Sequence, residues 1–183
     1  MQNDVRTFGR TARCKMSRAE RDIASEKIAE KVIRAPWFQR AAYIACYLPT
    51  PDEVNTWTII ARAWHMKKRI FVPVIEKKNQ MHFREIVSET ELQTNQFGIL
   101  EPIQGDFVTA RTLDVVLTPV VAFDESNHRV GMGGGYFDRT FSFLKDRKFL
   151  FHPRLIGLAF ACQKVDEISP NPWDIRLFST ITE

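Results

Sequence analysis

Residues 114–123 read Asp-Val-Val-Leu-Thr-Pro-Val-Val-Ala-Phe, the most apolar stretch of the chain. Valines and leucine follow one another without regular polar alternation. A sheet that wets one face would show that alternation, so the run predicts a strand covered on both faces, as in a mostly parallel sheet. Parallel neighbours cannot be joined by tight turns; they need crossover connections of a dozen or more residues. The flanking sequence must therefore supply helices.

It does. Ser17-Arg18-Ala19-Glu20 is a capping box, with Ser17 as N-cap and Glu20 at N3. Ile23, Ala24, Ile28, Val32 and Ile33 follow at helical spacing, and the helix should stop before Pro36. Ala42–Leu48 is a short run of strand formers. Thr56–Lys67 reads as a second helix, opened by Asn55. Arg69–Ile75 and Met81–Ile86 read as strands around a Lys-Lys-Asn-Gln turn. Residues 87–112 are polar and weakly patterned, a loop with room for one short helix. Tyr136–Phe149 carries Phe137, Phe141 and Leu144 at helical spacing, Arg154–Ala161 is another strand, and Asn171–Ile181 is turn followed by extended chain. Strands alternating with helices predict an α/β fold, a three-layer α/β/α sandwich with a mostly parallel, mixed central sheet. At 183 residues, the chain reads as a single domain over 1–183 with a basic N-terminal helical arm.

The charge is lopsided. Residues 1–40 hold ten Lys and Arg against five acids, whereas the whole chain carries +4, so the remaining 143 residues sum to −1. A basic element on a near-neutral body suits an anionic partner or a solvated helix face. No stretch approaches the roughly 20 apolar residues of a membrane helix. The N-terminal MQNDVRTFGRTARCK has no apolar segment of a secretory leader. Three scattered cysteines, Cys14, Cys46 and Cys162, form neither a disulfide framework nor a metal knuckle. Together these predict a cytoplasmic protein.

Ligands in such sheets sit at the carboxyl ends of the strands, which directs attention to the segment after Phe123. Four of the eight glycines fall within residues 131–135, and a helix is expected at once. Glycines let a ligand approach backbone N–H groups, and a helix N-terminus adds free donors, a recipe for holding phosphate. Neither the P-loop nor the Rossmann pattern is matched: no Gly-Lys-Ser/Thr follows, and the last Rossmann glycine would fall on Tyr136. Asp138 in the first helical turn either favours the helix dipole or serves as a Mg²⁺ ligand beside bound phosphates. Arg129 and Arg139 flank the loop and could neutralise phosphate charge.

The segments Tyr47-Leu-Pro-Thr-Pro-Asp-Glu53-Val-Asn-Thr56, Arg69-Ile-Phe-Val-Pro73, Asp114–Asp124 and Trp173-Asp174, together with Arg129-Val-Gly-Met-Gly-Gly-Gly-Tyr-Phe-Asp-Arg139, resemble the 5-formyltetrahydrofolate cyclo-ligase (methenyltetrahydrofolate synthetase) family in order along nearly the whole chain. The last of them is the most specific. The resemblance implies an ATP- and Mg²⁺-dependent ligase that converts 5-formyltetrahydrofolate, with or without a polyglutamate tail, into 5,10-methenyltetrahydrofolate. Carried over, Gly131, Met132, Gly133, Gly134, Gly135, Tyr136 and Phe137 would hold the ATP phosphates with Arg129 beside them. Asp138 and Asp174 would be Mg²⁺ ligands. Leu48 and Glu53 would line the folate site, with Tyr136 touching both substrates. Arg6 stands where the family places an ATP-contacting arginine. Gln2 stands where the family often has a lysine, so Arg10 or Arg13 would supply that charge. The family position gives no catalytic proton-transfer residue.

Plainer readings stand beside these. Glu53 also fits N3 of a capping box begun by Thr50, and Asp174 fits a local turn in Asn-Pro-Trp-Asp. Leu48 fits plain core. Trp57 and Trp64 lie seven apart on one helix face and read as core. The four histidines lack metal-ligand spacing, and His128 is a loop residue that could donate to phosphate. Two other functions fit the chain less well: an ATP-dependent enzyme of the same fold acting on another small substrate, or a nucleic-acid module using the basic arm. The near-neutral remainder, without interleaved aromatic and basic residues, opposes the latter. No nucleic-acid or membrane partner is expected, and the protein is expected to be a monomer.

Overall fold

The computed structural model describes residues 2–76, 80–95, 98–145 and 153–183. Helices α1 (Gln2–Lys15) and α2 (Arg18–Arg34) open the chain, with the short α3 (Pro36–Arg40) behind them. The capping box forms as expected: Ser17 Oγ accepts from the Glu20 N–H at 3.2 Å, and Glu20 Oε2 accepts from the Ser17 N–H at 2.7 Å. β1 (Tyr43–Cys46) leads to α4 (Trp57–His65), then to the hairpin β2 (Arg69–Glu76) and β3 (Gln80–Ile86). Asn55 caps α4, its Oδ1 accepting from the Trp57 N–H. The expected turn after β2 lies mostly outside the described residues.

β4 (Leu92–Thr94), β5 (Leu100–Pro102) and β6 (Phe107–Val108) follow. The expected loop over 87–112 therefore contains a β-hairpin. Asn95 closes it, accepting from Gly98 N–H through its carbonyl and from Ile99 N–H through its side chain, and Gly98 takes φ 75°. β7 (Val115–Pro119) lies in the main sheet, whereas β8 (Ala122–Phe123) pairs with β9 (Arg129–Val130) in a separate ribbon. The single strand expected over 114–123 is thus broken after Pro119. Gln163 explains the break: its Nε2 donates at 2.8 Å to the carbonyls of both Val120 and Val121, which have left the ladder.

α5 (Tyr136–Thr140) is followed by a 3₁₀ turn at Ser142–Leu144. The helix expected over 136–149 ends early because Ser142 Oγ donates to the Arg139 carbonyl, competing with the helical ladder; its expected last residues lie outside the described ones. β10 (Arg154–Leu158) and β11 (Ser179–Ile181) complete the fold.

The seven-stranded sheet runs β11-β10-β7-β1-β2-β3-β6. β11 to β2 are parallel neighbours, and β3 and β6 add an antiparallel edge. The expected mixed α/β sandwich is therefore the one observed. Alternate residues feed two cores. Ile44, Cys46, Val115 and Leu117 pack against α2, α3 and α4. Ala45, Phe71 and Val116 pack against Phe141 and the tail residues Ile175 and Leu177. Trp57 and Trp64 pack against the first core, as their spacing suggested. The second layer is thin, built from α5, its 3₁₀ extension and the tail. Among the described residues, no helix is long and apolar enough to cross a membrane.

Candidate functional site

β1 and β7 end side by side, and beyond them opens a cleft of about 1050 Å³. Its floor is Tyr47, Leu48 and Pro119–Val121, immediately past those strand ends. One wall is the glycine loop. The others are α1, the face of β2 and β3, the β4–β5 hairpin and the tail around Trp173.

The loop owes its path to two glycines at positive φ, Gly133 at 103° and Gly135 at 64°, where side-chain-bearing residues are strained. Gly134 lies so close to the Tyr136 ring that a Cβ would stand 2.6 Å from it. Arg6 reaches across from α1, its Nε donating to the Gly131 carbonyl at 2.9 Å, with its guanidinium against Gly133. Arg139 stacks on Tyr136 at 5.1 Å from the ring centroid. Two cations thus border a glycine-lined backbone, which suits a polyphosphate. α5 has only five residues, so the loop's own N–H groups and the arginines supply the attraction more than a long helix dipole.

Arg129 lines the cleft but is 8% exposed, and its guanidinium faces inward. Its Nη2 donates to Asp138 Oδ1 at 2.9 Å and its Nη1 to the Ile175 carbonyl at 2.5 Å. Asp138 Oδ1 also accepts from the Ile175 N–H at 3.0 Å. Arg129 therefore ties α5 to the tail, and its charge is answered by Asp138. Asp174 Oδ2 accepts from the Asn171 N–H at 2.8 Å, the local turn its sequence suggested, and from Gln2 Nε2 at 2.9 Å. Both carboxylates line the cleft. Among the described residues no cluster of three or more His, Cys, Asp or Glu forms a metal cage. Two carboxylates fit Mg²⁺ that arrives with phosphate oxygens and water, which needs no such cage.

On the opposite side, Leu48 and Glu53 both face the cleft. No helix starts at Thr50, so Glu53 is not in a capping box, although its Oε2 does accept from the Thr50 N–H at 3.0 Å. Its Oε1 stands 3.8 Å from Arg13 Nη1. Burial, and then the Glu53 charge, push the Tyr47 hydroxyl well above its ordinary pKa, and it donates to the Val54 carbonyl. Burial likewise pushes the Cys46 thiol up to about 12, leaving it inert.

The structure therefore gathers Arg6, Leu48, Glu53, Arg129, Gly131–Phe137, Asp138 and Asp174 around one space. Arg10 is not among them; it is exposed on α1 and does not line the cleft. Arg13 turns toward Glu53 and away from the loop. His128 also lies outside the cleft, its Nδ1 paired with Asp124 Oδ2 at 3.0 Å. Sequence reasoning missed the wall made by Val72, Pro73, Met81 and Ile99–Glu101. Asn95 and Gly98, a turn pair between alternating residues, were the available signal for the hairpin that carries part of it.

A mixed α/β sheet with a large cleft at its carboxyl edge, walled by a glycine loop and two arginines, is the arrangement of an α/β enzyme whose ligands sit beyond the strand ends. The family model for the 5-formyltetrahydrofolate cyclo-ligase family matches residues 1–183. The 5-formyltetrahydrofolate cyclo-ligase of Haemophilus influenzae is 30% identical over 184 residues, covering 98% of this chain and 96% of that protein. That of Escherichia coli K12 is 32% identical over 161 residues, covering 86% of each. The solved 5,10-methenyltetrahydrofolate synthetase of Aquifex aeolicus superposes with a TM-score of 0.82 at 28% identity, covering 98% of this chain and 88% of that one. The chain belongs to the 5-formyltetrahydrofolate cyclo-ligase family.

Proposed function

We propose that the protein cyclises 5-formyltetrahydrofolate to 5,10-methenyltetrahydrofolate, using ATP with Mg²⁺ and releasing ADP and phosphate. The observation that carries this reading is the cleft beyond β1 and β7. A site for one drug-sized ligand occupies about 300–1000 Å³, and this one, at about 1050 Å³, has a phosphate-suited wall facing a largely apolar wall that bears the carboxylates of Glu53 and Glu101. Two substrates can meet inside it.

The chemistry fits that arrangement. A formamide oxygen is a poor leaving group. Its attack on the γ-phosphorus of ATP forms an O–P bond and expels ADP. N10 of the folate then attacks the activated carbon and gives up its proton, and the C–O bond breaks to release phosphate, which takes that proton. Such transfers need positioning and charge stabilisation more than covalent catalysis. Arg6, Arg139 and the N–H groups of the glycine loop would hold the phosphates. Asp138 and Asp174 would meet the Mg²⁺ that accompanies them, which supplies further charge neutralisation. Leu48, Glu53 and the β2–β3 face would seat the folate, with Tyr136 between the two substrates. The reading takes the protein to act as a monomer, in the cytoplasm with its substrates.

The test is incubation with 5-formyltetrahydrofolate, ATP and Mg²⁺, following the near-ultraviolet absorbance of the methenyl product. Product that requires both ATP and Mg²⁺ is expected. Its absence from a folded protein that still binds ATP would move the reading to another small substrate.

A further inference from the structure

One face of α1 runs from the phosphate side of the cleft to Glu53. Gln2, Arg6, Gly9 and Arg13 recur at helical spacing and share that face. Gln2 meets Asp174 and Arg6 meets Gly131, both at the phosphate side. Gly9 lies against the Val121 carbonyl. Arg13, at the far end, meets Glu53.

Arg13 is unusual for its burial. It is 4% exposed, its Nε has no hydrogen-bond partner among the described residues, and it stands behind the cleft lining, not in it. Burying a guanidinium is strongly unfavourable unless an anion answers it, and an apolar side chain of the same volume would fill the place at less cost. The anion is Glu53, whose side chain is 12% exposed and faces the folate side. Glu53 sits in the irregular segment between β1 and α4, where, among the described residues, only the Thr50 N–H otherwise fixes its carboxylate. A charge behind it is what holds it in one orientation.

We propose that Arg13 is a positioning residue for Glu53: carried on α1, it holds that carboxylate toward the folate without touching substrate. The inference rests on the functional reading above. It makes α1 the element that organises both halves of the cleft, with Arg6 serving the nucleotide side and Arg13 the folate side.

The test uses Arg13→Met, which keeps length and removes charge, and Arg13→Lys, which keeps the charge. Each is made in wild-type and Glu53→Gln backgrounds, with thermal melting to verify folding. Binding of 5-formyltetrahydrofolate is measured by calorimetry, and steady-state constants for both substrates by product absorbance. Arg13→Met should weaken 5-formyltetrahydrofolate binding and raise its KM by about tenfold, with kcat and the KM for ATP within about twofold of wild type. Arg13→Lys should recover most of the loss. In the Glu53→Gln background Arg13→Met should have no further effect on folate binding. Equal losses for ATP and folate, or an undiminished effect without Glu53, would reduce Arg13 to scaffolding and overturn the inference. If Arg13→Met does not fold, Arg13→Lys decides, since a folate affinity as poor as that of Glu53→Gln would overturn it. Wild-type protein that binds no 5-formyltetrahydrofolate refutes the functional reading and this inference with it. Wild-type binding matched by Arg13→Met refutes the inference alone.

Discussion

Gly9→Ala probes how tightly α1 must sit. A Cβ at Gly9 would stand 2.1 Å from the Val121 carbonyl oxygen and 2.9 Å from its carbon, and both are backbone atoms that cannot rotate away. Ordinary contact begins at 3.4 Å, so α1 has to retreat by about 1.3 Å. Val121 is poorly placed to yield, because Gln163 fixes its carbonyl and its N–H donates to Val130. The stability change is a contest. Alanine gains about 1 kcal/mol of helix propensity over glycine. Overpacking costs typically about 1–3 kcal/mol. The net loss is about 1 kcal/mol, a drop in Tm of about 2–4 °C for a chain of this size. Function should suffer more. Arg6 Nε lies 2.9 Å from the Gly131 carbonyl, and a retreat of this size carries it past hydrogen-bond reach. The retreat also withdraws Arg6 from the phosphates it is proposed to hold, and one charge-assisted bond to them, of about 1.5–3 kcal/mol, predicts ATP binding weaker by about tenfold or more. Calorimetric titration with ATP, set beside thermal melting, measures both. A variant as stable as wild type with unchanged ATP affinity would refute the close seating of α1.

Gly133→Val should abolish most ATP binding while leaving the fold intact, since φ 103° is strained for a β-branched residue and the side chain would meet the Arg6 guanidinium; ATP titration checks it. Asp138→Asn should lower kcat by at least about tenfold and raise the Mg²⁺ concentration needed for turnover, because it removes the carboxylate proposed to meet the metal and weakens the ion pair with Arg129; an unaltered Mg²⁺ profile would exclude the metal role. Asp124 gives a pH effect. Burial pushes its carboxyl up, but hydrogen bonds from the His128 side chain, His128 N–H and Ile168 N–H together bring it below its ordinary value. Its contribution to stability is therefore full above the unfolded pKa of about 3.9 and is lost as pH falls through the lower folded value. Urea melts between pH 5 and about pH 3 should show wild type losing more stability on acidification than Asp124→Asn.

What the sequence made legible was whatever is local. The alternation of Ile44, Ala45 and Cys46 between two cores follows from the pleat, and the Ser17 cap from three neighbouring residues. The break after Pro119 was not legible, because what satisfies the freed carbonyls of Val120 and Val121 is Gln163, some forty residues later. The hairpin at 92–102 was missed because its strands are three residues long and largely exposed, too short for periodicity to register.

The same division runs through the site. The glycine loop announces itself, since positive φ and close backbone approach demand a residue type. Arginines do not, because a guanidinium is equally at home on a phosphate, a carboxylate or in water. Arg129, Arg6 and Arg13 look alike in the chain, and the fold gives them three different tasks. Arg129 is spent on Asp138 and Ile175, Arg6 is set against the loop, and Arg13 is buried behind Glu53. The basic charge of the first forty residues is thus not one property. Arg10, exposed on the same helix, contributes to the surface, whereas Arg6 and Arg13 reach Gly131 and Glu53 across the body. Which is which depends on the seating of α1, and a glycine at position 9 is what allows that seating.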